Sequence, residues 1–394
     1  MRMLARLTTA ALIVMTPALA GAAFAVGPEP TPVPLYVSPN ALPGKYIVTL
    51  DKGVDAAKLA GRLKLKPTFV YGSAMNGFAA PLTQQQLDGV RLSPGVKSVE
   101  SDAQVFAPPM KPATPTTVKA PASTWGVDRI DQEDLPLDGN FTPRGNGAGV
   151  TAYILDTGID YYHTEFGGRA TFGFDAIKDG RNGADCQGHG THVAGTVGGK
   201  TYGVARKANL VSVRVLGCDG RGEFSGIIAG LDWVAKNAKQ PAVLNASLGG
   251  DRSEALNNAA DALTDAGVLP VIAAGNSSKD ACNVSPASAT RVVTVAASNH
   301  WDEETDFSNY GPCVALYAPG EQIDSARMGG GAVALNGTSM AAPHVTGVAA
   351  LYKAEHPTAA PAEVAAFLDG QSTKDVMTSV SPGTPNKLLN TGGL

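Results

Sequence analysis

Residues 150–158 read VTAYILDTG, a nearly continuous apolar run that ends in a carboxylate and a glycine. Four more apolar runs follow, at residues 210–216, 243–248, 268–274 and 292–297. Strands that are apolar on both faces indicate a parallel sheet buried between helices, and residues 226–238 carry apolar side chains at helical spacing. The segment from residue 125 onward is therefore predicted to be α/β, with functional groups at the carboxyl ends of its strands.

A smaller unit with a different pattern precedes this segment. Within residues 44–106 we predict strands at 46–50, 68–71, 77–80 and 96–100, and helices at 55–63 and 83–92. Their order, βαββαβ, is typical of a ferredoxin-like α+β domain. Proline-rich stretches at residues 26–43 and 107–121 flank the unit, and we interpret both as extended spacers.

The composition excludes several classes of protein. The 394 residues are 44% hydrophobic and 17% charged, which is typical of a globular chain. The net charge is −4 without a basic cluster, so we expect no nucleic-acid partner. Residues 1–25 combine Arg2 and Arg6 with an apolar stretch and small residues, which predicts a signal peptide and a secreted protein. No later stretch is long and uncharged enough for a membrane span, so we expect no membrane partner either.

Four cysteines in an exported chain favour disulfide bonds, and three pairings are possible. A zinc site is the alternative, but the chain has no Cys-x-x-Cys pair. Disulfides are therefore the preferred interpretation for the cysteines, which are Cys186, Cys218, Cys282 and Cys313.

Three segments carry the residue types of acyl transfer by serine. DTG at residues 156–158 follows the first strand, GHGTHVAGT spans 188–196, and GTSMAAPH spans 337–344, before a helix predicted at 345–353 with a proline in its first turn. A serine hydroxyl becomes a nucleophile when a neutral imidazole takes its proton, and a carboxylate must hold that imidazole in the right tautomer. Asp156, His189 and Ser339 supply these groups. Asn276, after the strand at 268–274, offers an amide donor to the oxyanion.

Each segment alone also fits other functions. Aspartic proteases need two catalytic carboxylates, and only one Asp-Thr-Gly is present. His189 and His192 are a weak metal pair, since no His-Glu-x-x-His occurs. The serine motif is not Gly-x-Ser-x-Gly, and the order of acid, base and nucleophile is not that of an α/β-hydrolase.

Taken together, the order Asp…His…Ser with these flanking residues resembles the subtilisin-like serine proteases of the proteinase K branch, over nearly all of residues 125–389. The resemblance implies a three-layer subtilisin-like α/β domain with a mainly parallel sheet at residues 122–394. It implies that Asp156 orients His189, that His189 is the general base and then acid, and that Ser339 attacks the scissile carbonyl. Asn276 and the backbone N–H of Ser339 would form the oxyanion hole.

The resemblance also implies a substrate cleft. Its walls beside the scissile bond would be Ser247, Leu248 and Gly249 on one side and Ala273, Ala274 and Gly275 on the other. Gly222, Glu223 and Phe224 would form an edge strand that pairs with the substrate backbone, and Phe224 would line an apolar pocket. Ordinary core packing is the alternative for Leu248 and Phe224.

Two stabilising features are implied by the same resemblance. The cysteines match relatives that pair Cys186 with Cys218 and Cys282 with Cys313. Hard oxygen ligands match a calcium loop, for which a solvated acidic loop is the alternative; they are Asp128, Asp131, Gln132, Asp138 and Asn140. A second calcium site of the branch uses a carboxylate where this chain has Ala315, and Asp179 and Asp185 are weaker candidates for a further site.

Residues 44–106 are similar to the inhibitor-type propeptide of these enzymes, and residues 100–106 would lie in the cleft like a product. Residues 26–119 carry a net charge of +4 and residues 120–394 one of −10, which favours docking of the two parts. We therefore predict a secreted, monomeric endopeptidase of broad, apolar or aromatic specificity that removes its own propeptide within residues 107–121. The alternatives are an inactive binding protein of the same fold and a processing protease of narrow specificity.

Overall fold

The computed structural model describes residues 31–107 and 125–394. The signal peptide predicted at residues 1–25 and nearly all of the linker predicted at 107–121 lie outside the described residues. The described part contains a small α+β domain, followed by a larger α/β domain built on a mainly parallel sheet.

The small domain has the predicted βαββαβ order, preceded by one additional short strand. Its elements are β1 (Leu35–Tyr36), β2 (Ala41–Leu50), α1 (Ala56–Arg62), β3 (Phe69–Tyr71), β4 (Gly77–Pro81), α2 (Gln84–Arg91) and β5 (Val96–Phe106). The strand order in the sheet is β1-β5-β2-β4-β3. The side chain of Asp55 caps α1, and Thr83 with Gln86 forms a capping box on α2, so both helix starts are fixed by local sequence.

The predicted spacer at residues 26–43 is wrong for its described part. β1 pairs in parallel with β5, with Leu35 opposite Val99, and β2 already begins at Ala41. The N–H of Val33 also donates to the carbonyl oxygen of Arg91 at 2.9 Å. Apolar residues among the prolines pack against the small domain's core, which explains why this stretch is part of the domain.

The larger domain contains all five of the predicted strands, each within a few residues of its expected bounds. The elements are α3 (Trp125–Arg129), β6 (Thr151–Asp156), β7 (Ala170–Asp175), α4 (His189–Gly198), β8 (Asn209–Arg214), β9 (Arg221–Glu223), α5 (Phe224–Asn237), β10 (Ala242–Ala246), β11 (Gly250–Asp251), α6 (Glu254–Ala262), β12 (Leu269–Ala273), β13 (Val284–Ser285), β14 (Val293–Ser298), β15 (Leu316–Pro319), β16 (Ile323–Ala326), β17 (Ala332–Leu335), α7 (Thr338–Glu355), α8 (Pro361–Gln371), β18 (Thr373–Lys374) and β19 (Lys387–Leu388).

The main sheet has the strand order β18-β19-β15-β14-β12-β10-β6-β8-β7, and its strands run parallel except for the β18–β19 pair. Side chains of β6 alternate between two cores: Ala152 and Ile154 join the cluster formed with α4, α7 and α8, while Tyr153 and Leu155 join the one formed with α5 and α6. The sheet is thus the middle of three layers. The chain leaves β6 toward β8 on one side and later returns to β10 on the other, so the strand order reverses at β6, where open α/β sheets bind ligands.

The last long helix begins earlier than predicted. α7 starts at Thr338 instead of residue 345, so Ser339 lies in its first turn and Pro343 lies inside it. A proline there removes the N–H that would bond to the carbonyl oxygen of Ser339, four residues earlier. The hydroxyl of Ser247 donates to that oxygen instead, at 3.0 Å, and this replacement lets the helix continue through the proline.

Candidate active site

Asp156 and His189 form a buried pair. Asp156 is the last residue of β6 and His189 is the first of α4. The ring nitrogen Nδ1 lies 2.8 Å from one carboxylate oxygen and 3.0 Å from the other. Burial of the ring opposes its charged form, but the Asp156 carboxylate outweighs burial and raises the pKa of His189 above its ordinary value of 6.5.

The other ring nitrogen of His189, Nε2, is buried and has no hydrogen-bond partner. The candidate nucleophile Ser339 lies in the first turn of α7, which packs against α4. Its hydroxyl donates to the carbonyl oxygen of Ser247, at 3.3 Å. The starts of two adjoining helices thus carry an imidazole nitrogen without a partner and a hydroxyl with one long hydrogen bond.

Asn276 is held by residues that the sequence analysis did not single out. Its side-chain oxygen accepts from both the N–H of Thr338, at 2.9 Å, and the Thr338 hydroxyl, at 2.8 Å. A Cβ atom added at Gly337 would lie 3.0 Å from the amide nitrogen Nδ2, so this donor is beside the start of α7. Asn309 supports the same loop by donating to the Ala274 carbonyl oxygen, at 2.8 Å.

A cavity of about 370 Å³ lies beside Ser339 and Asn276. Leu248, Gly249 and Gly275 line it, as the resemblance implies, and Ala273 also contributes. Ala274 does not line it: this residue is fully buried in a separate apolar cluster, because side chains alternate across the end of β12.

The predicted substrate edge is occupied by the small domain. Residues 104–106 of β5 pair antiparallel with β9, with Val105 opposite Gly222 and Gln104 opposite Glu223. On the other side, Phe106 pairs with Gly249. The buried ring of Phe224 packs close to Gly250, where an added Cβ would lie 3.0 Å from it. An extended segment therefore fits between β9 on one side and Gly249 on the other.

The first part of residues 100–106 lies outside the cleft, contrary to the prediction. The Glu100 carboxylate accepts from the Ser253 hydroxyl, at 2.7 Å, and the Ala255 N–H, at 2.8 Å, at the start of α6. Asp102 accepts from the N–H of Ser225, at 3.1 Å, in the first turn of α5. Both carboxylates are drawn to helix N-termini, whose free N–H groups attract negative charge, so the cleft contact begins only at residue 104.

The histidine pair considered as a metal site has another role. His192 Nε2 lies 3.0 Å from the carbonyl oxygens of both Ile323 and Val333. Burial lowers the pKa of His192 to about 3, so the ring is neutral and links α4 to the β16–β17 hairpin. Since His189 bonds to Asp156, the two histidines have different partners.

The cysteines pair as Cys186–Cys218 and Cys282–Cys313. Within the described ranges, Asp179 with Cys186 and Cys218 is the one group of three potential metal-ligating acidic, histidine or cysteine side chains that meets within 4.8 Å. Its sulfurs are joined to each other, and Asp179 bonds to the buried guanidinium of Arg214 at 2.7 Å, so the structure does not support a cation site at Asp179.

The predicted calcium loop contains an unsatisfied carboxylate. Asp128 is 2% exposed, and its Oδ1 has no hydrogen-bond partner, while Oδ2 accepts from the Gly139 N–H at 3.0 Å. Burial, with Asp138 and Asp131 nearby, raises the pKa of Asp128. Asp131 bonds to the Thr142 N–H and Asp138 to the Asn140 N–H. The amide of Gln132 spans the loop by accepting from the Asp138 N–H and donating to the Pro136 carbonyl oxygen.

The sequence analysis did not predict that Thr338 and Asn309 support Asn276 and its loop. Thr338 is adjacent to Ser339 and inside a quoted motif, which was a usable signal, but Asn309 is 33 residues from Asn276 with no motif around it. Its role follows from the fold, which brings the loop after β14 beside the one after β12.

A sequence model of the subtilase family matches residues 147–387, and one of the peptidase inhibitor I9 family matches residues 45–107. The chain belongs to the subtilase family. This subtilase is a serine protease of the subtilisin-like type, a hydrolase made as a zymogen with an I9 propeptide. The family match confirms the resemblance and the predicted fold class.

Relatives support the assignment along most of the chain. The subtilase is 45% identical over 381 residues to the extracellular serine proteinase of Thermus sp. strain Rt41A, covering 90% of this chain and 91% of that protein. It is 42% identical over 379 residues to alkaline serine exoprotease A of Vibrio alginolyticus, covering 92% and 70%. The subtilase also matches the crystal structure of a cold-adapted subtilisin-like serine proteinase, with 50% sequence identity and a TM-score of 0.66. This match covers 68% of this chain and 97% of that one.

Proposed function

We propose that this subtilase cleaves peptide bonds through Asp156, His189 and Ser339, and that it removes its own propeptide. The Asp156–His189 pair carries the proposal, because it is buried, closely bonded and leaves Nε2 without a partner. In that pair Nδ1–H donates a hydrogen bond to the carboxylate, so Nε2 is the basic nitrogen of the neutral ring.

In the proposed reaction, Nε2 takes the Ser339 proton as the hydroxyl oxygen attacks the scissile carbonyl carbon. The carbonyl oxygen becomes an oxyanion, which receives hydrogen bonds from Asn276 Nδ2 and the Ser339 N–H. His189 then gives its proton to the leaving amine, and an acyl-enzyme remains. A water molecule then attacks the acyl carbon as Nε2 takes its proton. The bond from that carbon to Ser339 Oγ breaks, and His189 returns the proton to Oγ, which releases the carboxylic acid product and restores the enzyme.

We expect the Ser339→Ala precursor to stay joined to its propeptide, because the alanine offers no oxygen for attack. Intact mass and N-terminal sequencing of the exported protein measure this, and they also report whether residues 1–25 are removed as a signal peptide. Ser372→Ala is the matched control, since its hydroxyl only bonds to the Asp369 carbonyl oxygen at the end of α8. Normal maturation of Ser339→Ala in a host without other secreted proteases would contradict the nucleophile assignment.

We propose that the small domain, residues 44–106, inhibits the enzyme until it is removed. It occupies the cleft with residues 104–106 and holds the larger domain through several polar contacts. The Asp232 carboxylate accepts N–H bonds from three successive residues, Gly72, Ser73 and Ala74. Lys45 pairs with Glu223 at 2.6 Å. These contacts span the cleft edge and α5, so a released propeptide can remain bound.

Activity should increase with pH, with a midpoint above 6.5. His189 must be neutral to accept the serine proton, and its pKa is raised despite burial because Asp156 stabilises the charged ring. The imidazolium form therefore persists to higher pH than in a free histidine. The measurement is kcat/KM against pH for a small peptide substrate, with tryptophan fluorescence recorded over the same range to show that the protein stays folded. A maximum near pH 4 would be inconsistent with the mechanism.

We propose broad specificity with a preference for apolar or aromatic residues at the acyl side of the scissile bond. Leu248, Ala273, Val284 and three glycines form the apolar part of the cavity wall. The two charged residues that also line it, Asp251 and Lys279, have opposite signs and so do not favour one charge. Peptide p-nitroanilides that differ only at the acyl residue test this. We expect kcat/KM for Phe and Leu to exceed that for Lys and Glu by about 10-fold or more, because a buried unpaired charge is costly. A preference for Arg or Lys would instead favour the narrow processing protease.

We propose that Asp128, Asp131, Gln132, Asp138 and Asn140 hold a structural calcium ion. The residues fit such an ion because a buried Asp128 oxygen lacks a partner and the negatively charged Asp131 and Asp138 lie in the same loop. Their carboxylates do not already meet in one tight group. The ion would supply positive charge that brings the loop together.

Chelation should therefore lower the melting temperature. For calcium at about 100 times its Kd, the lost binding amounts to about 2.7 kcal/mol, which for a domain of this size is about 5 to 10 °C. Scanning calorimetry with and without chelator measures the effect, and Asp138→Asn should show a smaller difference. An unchanged melting temperature with saturating chelator would remove the site.

A further inference from the structure

We propose that Asp185 is a positioning residue: its carboxylate fixes the residue after Asp156 to the first turn of the helix that begins at His189. This inference rests on the proposed function and adds a fourth residue to its machinery. Asp185 does not touch the reacting atoms, so it acts through the geometry of the pair.

Five hydrogen bonds converge on this one carboxylate. Oδ1 accepts from the Thr157 hydroxyl and from the N–H groups of Gln187 and Gly188, each at 2.9 Å. Oδ2 accepts from the N–H of Thr191, at 3.0 Å, and from its hydroxyl, at 2.5 Å. Such charge-assisted bonds are the stronger kind, and here they fix the loop before α4 and its first turn at once.

Thr157 links this carboxylate to the candidate catalytic aspartate. The N–H of Thr157 donates to Asp156 Oδ1 at 2.7 Å. The Thr157 hydroxyl donates to Asp185 and accepts from the N–H of Gly190, the residue after His189, at 2.9 Å. Asp156 and His189 lie 33 residues apart in the chain, and through Thr157 and Asp185 their neighbouring backbones are bonded to each other.

The Asp185 loop is itself held from behind. Cys186, the next residue, is joined to Cys218. The guanidinium of Arg214 is fully buried. Its Nε donates to the Thr157 carbonyl oxygen at 3.2 Å, and its Nη2 lies 3.3 Å from the Cys186 sulfur. Thr157 is thus fixed at its hydroxyl by Asp185 and at its carbonyl by Arg214.

Asp185 also acts on His189 by its charge. Although burial of the ring opposes the imidazolium, Asp156 most strongly, and Asp185 less so, raise the pKa of His189. His192 also interacts with that ring, and burial lowers the pKa of His192 to about 3, so it stays neutral. A negative charge at position 185 therefore favours the protonated ring that forms during the reaction.

The test compares Asp185→Asn with Asp261→Asn. Asp261, on α6, is a similarly half-buried residue. Its carboxylate accepts hydrogen bonds from the N–H groups of Thr290 and Arg291 and from the Thr290 hydroxyl. In Asp185→Asn, one accepting oxygen is replaced by an NH2 group, which would face hydrogen-bond donors and could not accept from them. We expect kcat to fall by about 10- to 100-fold with KM nearly unchanged, because small displacements of catalytic groups are costly. The acid limb of the pH profile should also move to lower pH. Asp261→Asn should lower only the melting temperature.

The rate of Ser339 labelling by a fluorophosphonate separates this inference from the proposed function. If the wild-type enzyme is not labelled at Ser339, the proposed function fails. If the wild type is labelled and Asp185→Asn reacts within twofold of it, or with an unmoved acid limb, the positioning role is excluded.

A second pair of variants keeps the test decisive if Asp185→Asn folds poorly. Thr157→Val removes the bridging hydroxyl at constant shape, and Thr157→Ser keeps it. Labelling of Thr157→Ser should be at least about 10 times faster than that of Thr157→Val if the bridge positions the pair. Equal rates would contradict the inference.

Discussion

The bond between Asp156 and His189 is the constraint that organises the site. It requires the end of β6 and the start of α4 to be held so that His189 Nδ1 lies 2.8 Å from an Asp156 carboxylate oxygen, although the two residues are far apart in the chain. β6 can provide a fixed end because it lies inside the sheet, with β10 and β8 bonded to its two edges and a core on each face. Burial then strengthens the electrostatic attraction within the pair and keeps water from the carboxylate.

The groups around this pair are satisfied in a way that leaves the reactive atoms free. Pro343 leaves the Ser339 carbonyl oxygen without its helical partner, and Ser247 replaces it, which connects Ser339 to the residue before Leu248 of the cavity wall. Thr338 occupies the side-chain oxygen of Asn276, so its amide hydrogens remain available. Among the residues that the structure describes, His189 Nε2 is one of few buried polar atoms without a partner. Structural bonds thus fix the positions, while His189 Nε2 stays without a partner and the Ser339 hydroxyl makes one long bond, to the Ser247 carbonyl oxygen.

The small domain occupies the cleft edge through residues 104–106 and makes further contacts outside it. Glu100 and Asp102 bind the exposed N–H groups at the starts of α6 and α5, and these helices also pack on the main sheet. Complementary net charge favours the encounter, and the helix N-termini and the cleft strands fix the orientation. The domain is therefore bound both through backbone groups of the enzyme, at β9 and the two helix starts, and through side chains such as Asp232 and Glu223.

The sequence by itself determined the five central strands and the βαββαβ order of the small domain, and it indicated the candidate reactive groups, because apolar periodicity and short motifs are local properties. It misjudged local features that depend on distant partners. Residues 31–43 were predicted to be a spacer, but part of this stretch pairs with β5. The predicted start of α7 was seven residues too late, because the Ser247 hydroxyl, which replaces the hydrogen bond lost at Pro343, lies far away in the sequence. Tertiary structure alone decided that Asn309 supports the loop of Asn276, that Arg214 takes the carboxylate of Asp179, and that Asp185 bonds to Thr157. Each of these depends on which loops meet at the edge of the sheet, and burial there forces every polar group to find a partner that no spacing rule specifies.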